Sequence, residues 1–389
     1  MLDVLIVGGG PAGATLALAL RESGFSYRIL DARPRGGLGI GDRTLALAHN
    51  ARLLFERIGI WSKLSSVTPI ETIDISQRGA FGITQLTARE LGLPALGYVI
   101  RYGELQAALD AALAGANIPI DYGCKVDGVI ARDESVELSA GASDPKAGES
   151  PVGATRLTAR LVVVADGNGE SLPEIHRRKI DYRQCAVVGI VESTAMKAGV
   201  AYERFTPDGP VALLPYASRY ALVWTATPAR TQALLAHSDD DFLAALHRHF
   251  GDRAGRFTSV SGRGAFPLSL QFASRVVGNR SVVLGNAAQA LHPIAGQGFN
   301  LGLRDVWTLA QCLLDTPRDE IGSAARLAAY EKSRRVDRWA GVAMTHTLVS
   351  AFGIAHPLAA LPRGLGLTLL DSVPPLKRAF ARAMLNGLR

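Results

Sequence analysis

Two glycine-rich stretches carry the residues with the most legible chemistry. Near the start, Gly8-Gly9-Gly10-Pro11-Ala12-Gly13 has the Gly-x-Gly-x-x-Gly spacing that brings backbone amides close to a phosphate. Late in the chain, Gly285-Asn286 is followed by Leu291-His292-Pro293-Ile294-Ala295-Gly296-Gln297-Gly298-Phe299-Asn300, a loop that runs into a helix starting at Gly298. The unpaired N–H groups and positive dipole end of such a helix favour an anionic or electron-rich ligand. Beside a redox-active ring they would stabilise the negative charge that reduction creates.

The elements around the first stretch are those a dinucleotide needs. Asp3 to Val7 reads as an apolar strand, Ala14 to Leu20 as a small-residue helix, and Tyr27 to Leu30 as a second strand ending in Asp31. In this βαβ fingerprint Gly8 permits the tight turn, Gly10 lets the backbone approach a pyrophosphate and Gly13 lets helix and strand pack closely. Asp31 is then the acceptor for a ribose hydroxyl. The fingerprint alone leaves FAD and NAD open, and no second copy follows for a nicotinamide cofactor.

The late stretch, with Gly285-Asn286-Ala287-Ala288-Gln289 ahead of it, resembles the second flavin-contact motif of the aromatic hydroxylases that fold like p-hydroxybenzoate hydroxylase, and in particular their ubiquinone-biosynthesis branch. Flavoproteins of this type carry the fingerprint at the extreme N-terminus, so the resemblance implies FAD. Most relatives have Asp where Asn286 stands and His where Gln289 stands. The resemblance implies that Pro293, Gly296, Gln297 and Gly298 line the flavin face, that Asn286 reaches the ribityl chain, and that Gly285, Phe299 and Asn300 complete the contact. Pro11 and Ala12 belong to the pyrophosphate turn. His292 is placed to assist phenol deprotonation, with a neutral, backbone-oriented histidine as the alternative.

The resemblance also implies a reaction and a fold. NADPH or NADH reduces FAD, O₂ adds to give a C4a-hydroperoxide, and an electron-rich phenol takes up one oxygen. The fold expected is α/β, with α+β character in the substrate part: a Rossmann-like FAD-binding domain over 1–70, 101–175 and 276–335, an interleaved β-sheet substrate domain over 71–100 and 176–275, and C-terminal helices over 336–389. Arg43, before a helix that stops at Gly59-Ile60-Trp61, is expected near the pyrophosphate; the alternative is a solvated capping arginine. Arg101 is out of register with an arginine that other aromatic hydroxylases place before the following helix.

Asp166-Gly167 matches a motif serving both FAD and the passing nicotinamide, but departs from it. Val164 replaces a glycine, Glu170 takes the serine position with Ser171 one place late, and Leu172-Pro173-Glu174 lacks an arginine, for which Arg177 or Arg178 is a candidate substitute. The breaker-rich run Ser139 to Pro151 reads as a hairpin loop. Ala201-Tyr202-Glu203-Arg204-Phe205 and Val211 to Pro215 read as two strands about a Pro-Asp-Gly turn, typical of the same branch and equally readable as ordinary sheet core.

Composition sets the outer limits. The 389 residues are 48% hydrophobic and 20% charged, enough for one large or two medium cores. The net charge is +7 (42 Lys and Arg minus 35 Asp and Glu), with no zinc-finger spacing, RNA-binding aromatic signature or basic helix, so nucleic acid is not expected as a partner. Cys124, Cys185 and Cys312 suggest neither a disulfide framework nor a metal site. With no signal peptide and no long apolar run, a cytoplasmic protein is expected. Leu348 to Leu370 is apolar but broken, and ends near Lys377, Arg378 and Arg382; it suits peripheral contact with the inner face of an anionic membrane, or a helical cap on the flavin domain.

The expected activity is therefore flavin-dependent hydroxylation of a polyprenylphenol in ubiquinone biosynthesis. The alternatives are another aromatic substrate, reduction of isoprenoid double bonds, or a flavin-binding subunit of a biosynthetic complex without turnover.

Overall fold

The computed structural model describes residues 1–37, 43–79, 82–142, 155–206, 208–353 and 357–388. Gly41, Asp42, Ser143 to Pro151, Pro207 and His356 lie outside the described residues.

The first strand, Leu2–Val7, is buried from Asp3 onward and sits between Thr155–Val164 and Tyr27–Asp31, parallel to both. Both its faces are covered, which is why it reads as a continuous apolar run rather than an alternation. The sheet extends through Ser281–Val283 on one side and Ile120–Tyr122 on the other. Val136–Ala142 pairs antiparallel with Thr155–Val164, so the residues flanking the expected hairpin loop do form a hairpin.

A second, eight-stranded sheet runs in the order Gln289–Ala290, Phe257–Ala273, Arg177–Ser193, Arg219–Ala226, Val211–Tyr216, Val200–Phe205, Thr72–Gln77, Ile83–Thr87. One face packs on the helices Pro228–Ala236 and Asp239–Phe250, where Tyr202, Leu222, Trp224, Phe242 and Phe250 form a core. Ser238 caps the second helix by accepting from the Asp241 amide, with three aspartates in the first turn and His247, Arg248 and His249 in the last, as the helix dipole favours.

Two expected boundaries are corrected. The strand Gly97–Arg101, whose residues up to Ile100 were expected in the substrate part, instead pairs with Thr44–Ala48 and Thr68–Ile70 in a separate three-stranded sheet. Its first four residues are buried, so its apolar pattern marks this junction rather than the larger sheet. The helix Ala324–Gly353 runs unbroken through the boundary expected at 335/336. Beyond it, Pro357–Ser372 lies along Ile83–Thr87 of the substrate sheet and Pro374–Asn386 along the helix His49–Arg57. No helix of the described residues is long and apolar enough to cross a membrane.

Candidate active site

The glycine turn separates two demands on glycine. Gly8 has φ +99°, and a Cβ on it would meet the Ala165 carbonyl at 2.6 Å; a Cβ on Gly13 would collide with the Gly8 carbonyl. A Cβ on Gly10 would meet nothing within 4 Å. Packing therefore requires Gly8 and Gly13, while Gly10 leaves open space on the cavity floor for a ligand that approaches the backbone.

Asp31 is buried and lines this cavity, but its carboxylate is already engaged. Oδ2 accepts from the Gly9 amide (2.9 Å) and Arg33 Nε (2.7 Å), and Oδ1 from the Arg33 amide (2.9 Å). Arg33 Nη2 and Gln106 Nε2 each donate to the Gly9 carbonyl at 3.0 Å. Asp31 and Arg33 so hold the turn in shape, and Gln106 pins the Gly9 carbonyl independently; the sequence pattern singled out neither Arg33 nor Gln106.

Arg43 lines the same cavity. Its guanidinium lies 5.7 Å from the Phe266 ring centroid, and Nε is buried without a hydrogen-bond partner among the described residues. Burial pulls its pKa below the usual arginine range. A buried cation of this kind calls for an anion, and a dinucleotide pyrophosphate fits both Arg43 and the open floor at Gly10.

In the late motif, Gly285, Asn286, Pro293, Gly296, Gln297, Gly298, Phe299 and Asn300 all line the cavity. The helix is Gln297–Leu314, capped by Gly296 in the left-handed conformation (φ 62°). Asn300 fixes this cap: its Nδ2 donates to Gly296 O (2.7 Å) and Ala46 O (3.0 Å), and its Oδ1 accepts from the Ala48 amide (2.7 Å). Gln297 donates to the Met384 carbonyl at 3.2 Å, tying the helix start to the C-terminal helix. Gly302 packs directly on Gly285, with only 3.1 Å between its ideal Cβ and the Gly285 Cα.

Gln289 anchors the loop from behind. It donates to Asp305, accepts from Arg338 Nε (2.9 Å), and Arg338 donates on to the Ala273 carbonyl (3.0 Å), while Arg334 Nε pairs with Asp305 at 2.6 Å. Gln289 and Ala290 also pair with Phe272 and Gln271, joining the loop to the substrate sheet.

His292 is a correction. Its neighbours Leu291, Pro293 and Ile294 line the cavity, but His292 does not. The ring is 1% exposed and packs edge-on against Tyr182 at 5.7 Å between centroids, and Nδ1 accepts from the Ile294 amide at 3.3 Å. Burial lowers its pKa to about 4. Alternation with its cavity-lining neighbours turns it into the protein, where it is a neutral, backbone-oriented histidine rather than a phenol base.

Asp166 and Gly167 do form the expected turn on the cavity wall, with Gly167 at φ +89° and Asp166 Oδ1 accepting from the Asn168 (3.2 Å) and Gly169 (2.7 Å) amides. Asp166 opens onto the cavity, yet desolvation by its surroundings raises its pKa above the usual carboxylate range. Arg177 donates locally, from Nε to the Ala287 carbonyl (3.0 Å) and from Nη1 to the Ile175 carbonyl (3.1 Å), while its buried Nη2 has no hydrogen-bond partner among the described residues. It braces the Asp-Gly segment against the flavin loop. Arg101, whose place was open, lines the cavity beside Arg43 and Tyr102.

The cavity is a single space of about 1070 Å³. Besides the glycine turn and the late motif, it is lined by Ile75, Val188, Glu203, Ala212 and Leu214 from the substrate sheet and by Leu348, Leu367, Leu370, Phe380 and Met384 from the C-terminal helices. Glu203 and the C-terminal helices were not picked out as site elements by sequence. The available signal for Glu203 was its strand, where Ala201, Glu203 and Phe205 alternate on one face and put a carboxylate between apolar neighbours.

A parallel-sheet dinucleotide fold with a mixed sheet across its cavity defines a two-part flavoprotein. The family described as FAD binding domain matches residues 1–345, and the chain belongs to it. It is 36% identical to the ubiquinone hydroxylase UbiL of Rhodospirillum rubrum over 408 residues, covering 100% of this chain and 90% of that protein. It is 28% identical to the 3-demethoxyubiquinol 3-hydroxylase of Escherichia coli over 389 residues, covering 97% and 96%. The fold is shared with the p-nitrophenol 4-monooxygenase PnpA of Pseudomonas putida DLL-E4, at a TM-score of 0.78 and 17% identity, with 100% and 99% covered. The chain is an FAD-dependent monooxygenase.

Proposed function

We propose that this monooxygenase hydroxylates the aromatic ring of a polyprenylphenol in ubiquinone biosynthesis. The observation that carries the reading is the continuity of the cavity: the space that holds Gly10 and Arg43 also reaches the apolar side chains of the substrate sheet and the C-terminal helices. A phenol head beside the flavin and a greasy tail among Leu348, Leu367, Leu370 and Phe380 would use the whole of it. When bound, FAD supplies acceptance of a hydride from NADPH or NADH and delivery of one oxygen atom of O₂ to the ring, the other leaving as water.

The chain's own residues set the conditions. Gly10 and Arg43 would hold the pyrophosphate, Asn286 would serve the ribityl chain, and the start of Gln297–Leu314 would offer its free amides to the electron-rich ring. Pro293, Gly296 and Gln297 line its face. The apolar sheet keeps water from the reacting carbon.

The test is anaerobic reduction of the bound flavin by NADPH and NADH, followed at its visible absorbance, with and without 2-prenyl-6-methoxyphenol. Phenol-dependent bleaching, then a hydroxylated product on admitting O₂, is the expected result. Flavin that neither nucleotide bleaches would favour a subunit without turnover.

Membrane contact is part of the same reading. Leu365 and Leu369 on one C-terminal helix are 58% and 57% exposed, and Leu376 on the next is 45% exposed, near the exposed Arg378 and Arg382. These residues suit an anionic bilayer surface. Replacing the three leucines by serine is expected to abolish co-sedimentation with anionic liposomes; unchanged co-sedimentation would refute the contact.

A further inference from the structure

The substrate sheet carries one charged side chain in an otherwise uncharged row. Register aligns Thr84, Ile75, Glu203, Ala212, Val223, Val188 and Gly264 across seven strands. Laterally paired residues point to the same face of a sheet, and here that face is the cavity wall, which Ile75, Glu203, Ala212 and Val188 all line. Resting on the hydroxylase reading above, we propose that Glu203 is the catalytic base that receives the phenolic proton of the substrate.

The geometry gives Glu203 no structural reason to be there. Neither adjoining strand offers it a cationic partner: Asp74, on the opposite face of Thr72–Gln77, is held by Arg253 at 2.6 Å, and Val211–Tyr216 contributes only apolar side chains and Tyr216. The other ionisable groups on the cavity walls include Arg43, Arg101, Tyr102, Asp166 and Arg363, none of which acts on it appreciably. Burial alone pushes its pKa up to about 8. An uncompensated carboxylate in an apolar wall is costly, and a basicity raised toward the working pH is what a general base requires.

In the step, the phenolic O–H bond breaks, its electron pair stays on the phenolate oxygen and the proton passes to a Glu203 carboxylate oxygen. The phenolate oxygen then enriches the ring carbons ortho and para to it. On rearomatisation the hydroxylated carbon releases its proton to water, and the former phenolate oxygen takes a proton back from Glu203, which restores the carboxylate.

The test uses the full-length holoenzyme with 2-prenyl-6-methoxyphenol and with a ring-fluorinated analogue already ionised at assay pH. For wild type, kcat/KM for the first phenol should rise with pH through a midpoint near 8 to a plateau above it. Glu203→Gln should lose this rising limb and about 100-fold in rate, and the loss should shrink at least tenfold for the ionised analogue. Glu203→Asp, which keeps the carboxylate, should retain the limb at a lower rate. Equal losses on the two phenols, or a rate that falls as pH passes 8, would overturn the assignment. If wild type hydroxylates neither phenol, the hydroxylase reading fails first and this assignment with it.

Discussion

One wall of the cavity is built from turns and the other from alternate side chains. Residues 8–13, 43–48 and 285–300 present backbone: an open floor at Gly10, a left-handed cap at Gly296, and an asparagine that clamps that cap to Ala46 and Ala48. The substrate sheet presents Ile75, Ala212 and Val188 about a single carboxylate, drawn from strands far apart in sequence. The first wall recognises a constant ligand, so it is built from backbone turns whose residue types are set locally. The second must fit a particular substrate, and its identity lies in which side chains a three-dimensional register brings together.

Gly10→Val should make the largest break in this comparison. A Cβ on Gly10 meets nothing within 4 Å, so the chain should fold, while the lost approach to the pyrophosphate should weaken FAD about 100-fold or more. Flavin titration of the apoprotein checks the affinity, and circular dichroism checks the fold. An unfolded variant would show that Gly10 serves packing, as Gly8 and Gly13 do.

Arg43→Met should act less strongly and in two directions. Removing a desolvated cation should raise the melting temperature of the apoprotein, whereas loss of a charge-assisted contact should weaken FAD roughly 10- to 100-fold. Melting curves with and without FAD separate the two, and an apoprotein that melts lower would mean Arg43 is structural.

The smallest effect should come from the sheet wall. Glu203 has a folded pKa of about 8 against an ordinary 4.5, so between those values the folded protein keeps a proton that the unfolded chain releases. Its contribution to stability therefore falls as pH rises from about 4.5 to 8. Without phenol, Glu203→Gln should match wild type near pH 5 and melt roughly 2–4 °C higher at pH 9. A constant difference across pH would contradict a desolvated carboxylate at Glu203.

Much of the flavin wall was legible because its signals are local. The turn, the strand before it and Asp31 lie within one βαβ unit, and the late motif is a single run of chain. What escaped were partners contributed from elsewhere, such as Arg33 and Gln106 on the Gly9 carbonyl, and the direction of His292, which depends on how one loop residue alternates with its neighbours. The substrate wall showed its strands but not its chemistry, since Ala201, Glu203 and Phe205 fit ordinary sheet core equally well.

The sequence by itself determined the nucleotide fold, because close backbone approach to a phosphate needs glycine at set spacings, and the resemblance carried by its late motif implied the flavin and the class of reaction. Only the tertiary structure decided that the C-terminal helices close the cavity, that His292 faces away from it and that Glu203 faces into it. Those outcomes depend on contacts between residues far apart in the chain, where pairing register and packing set which side of an element meets the substrate.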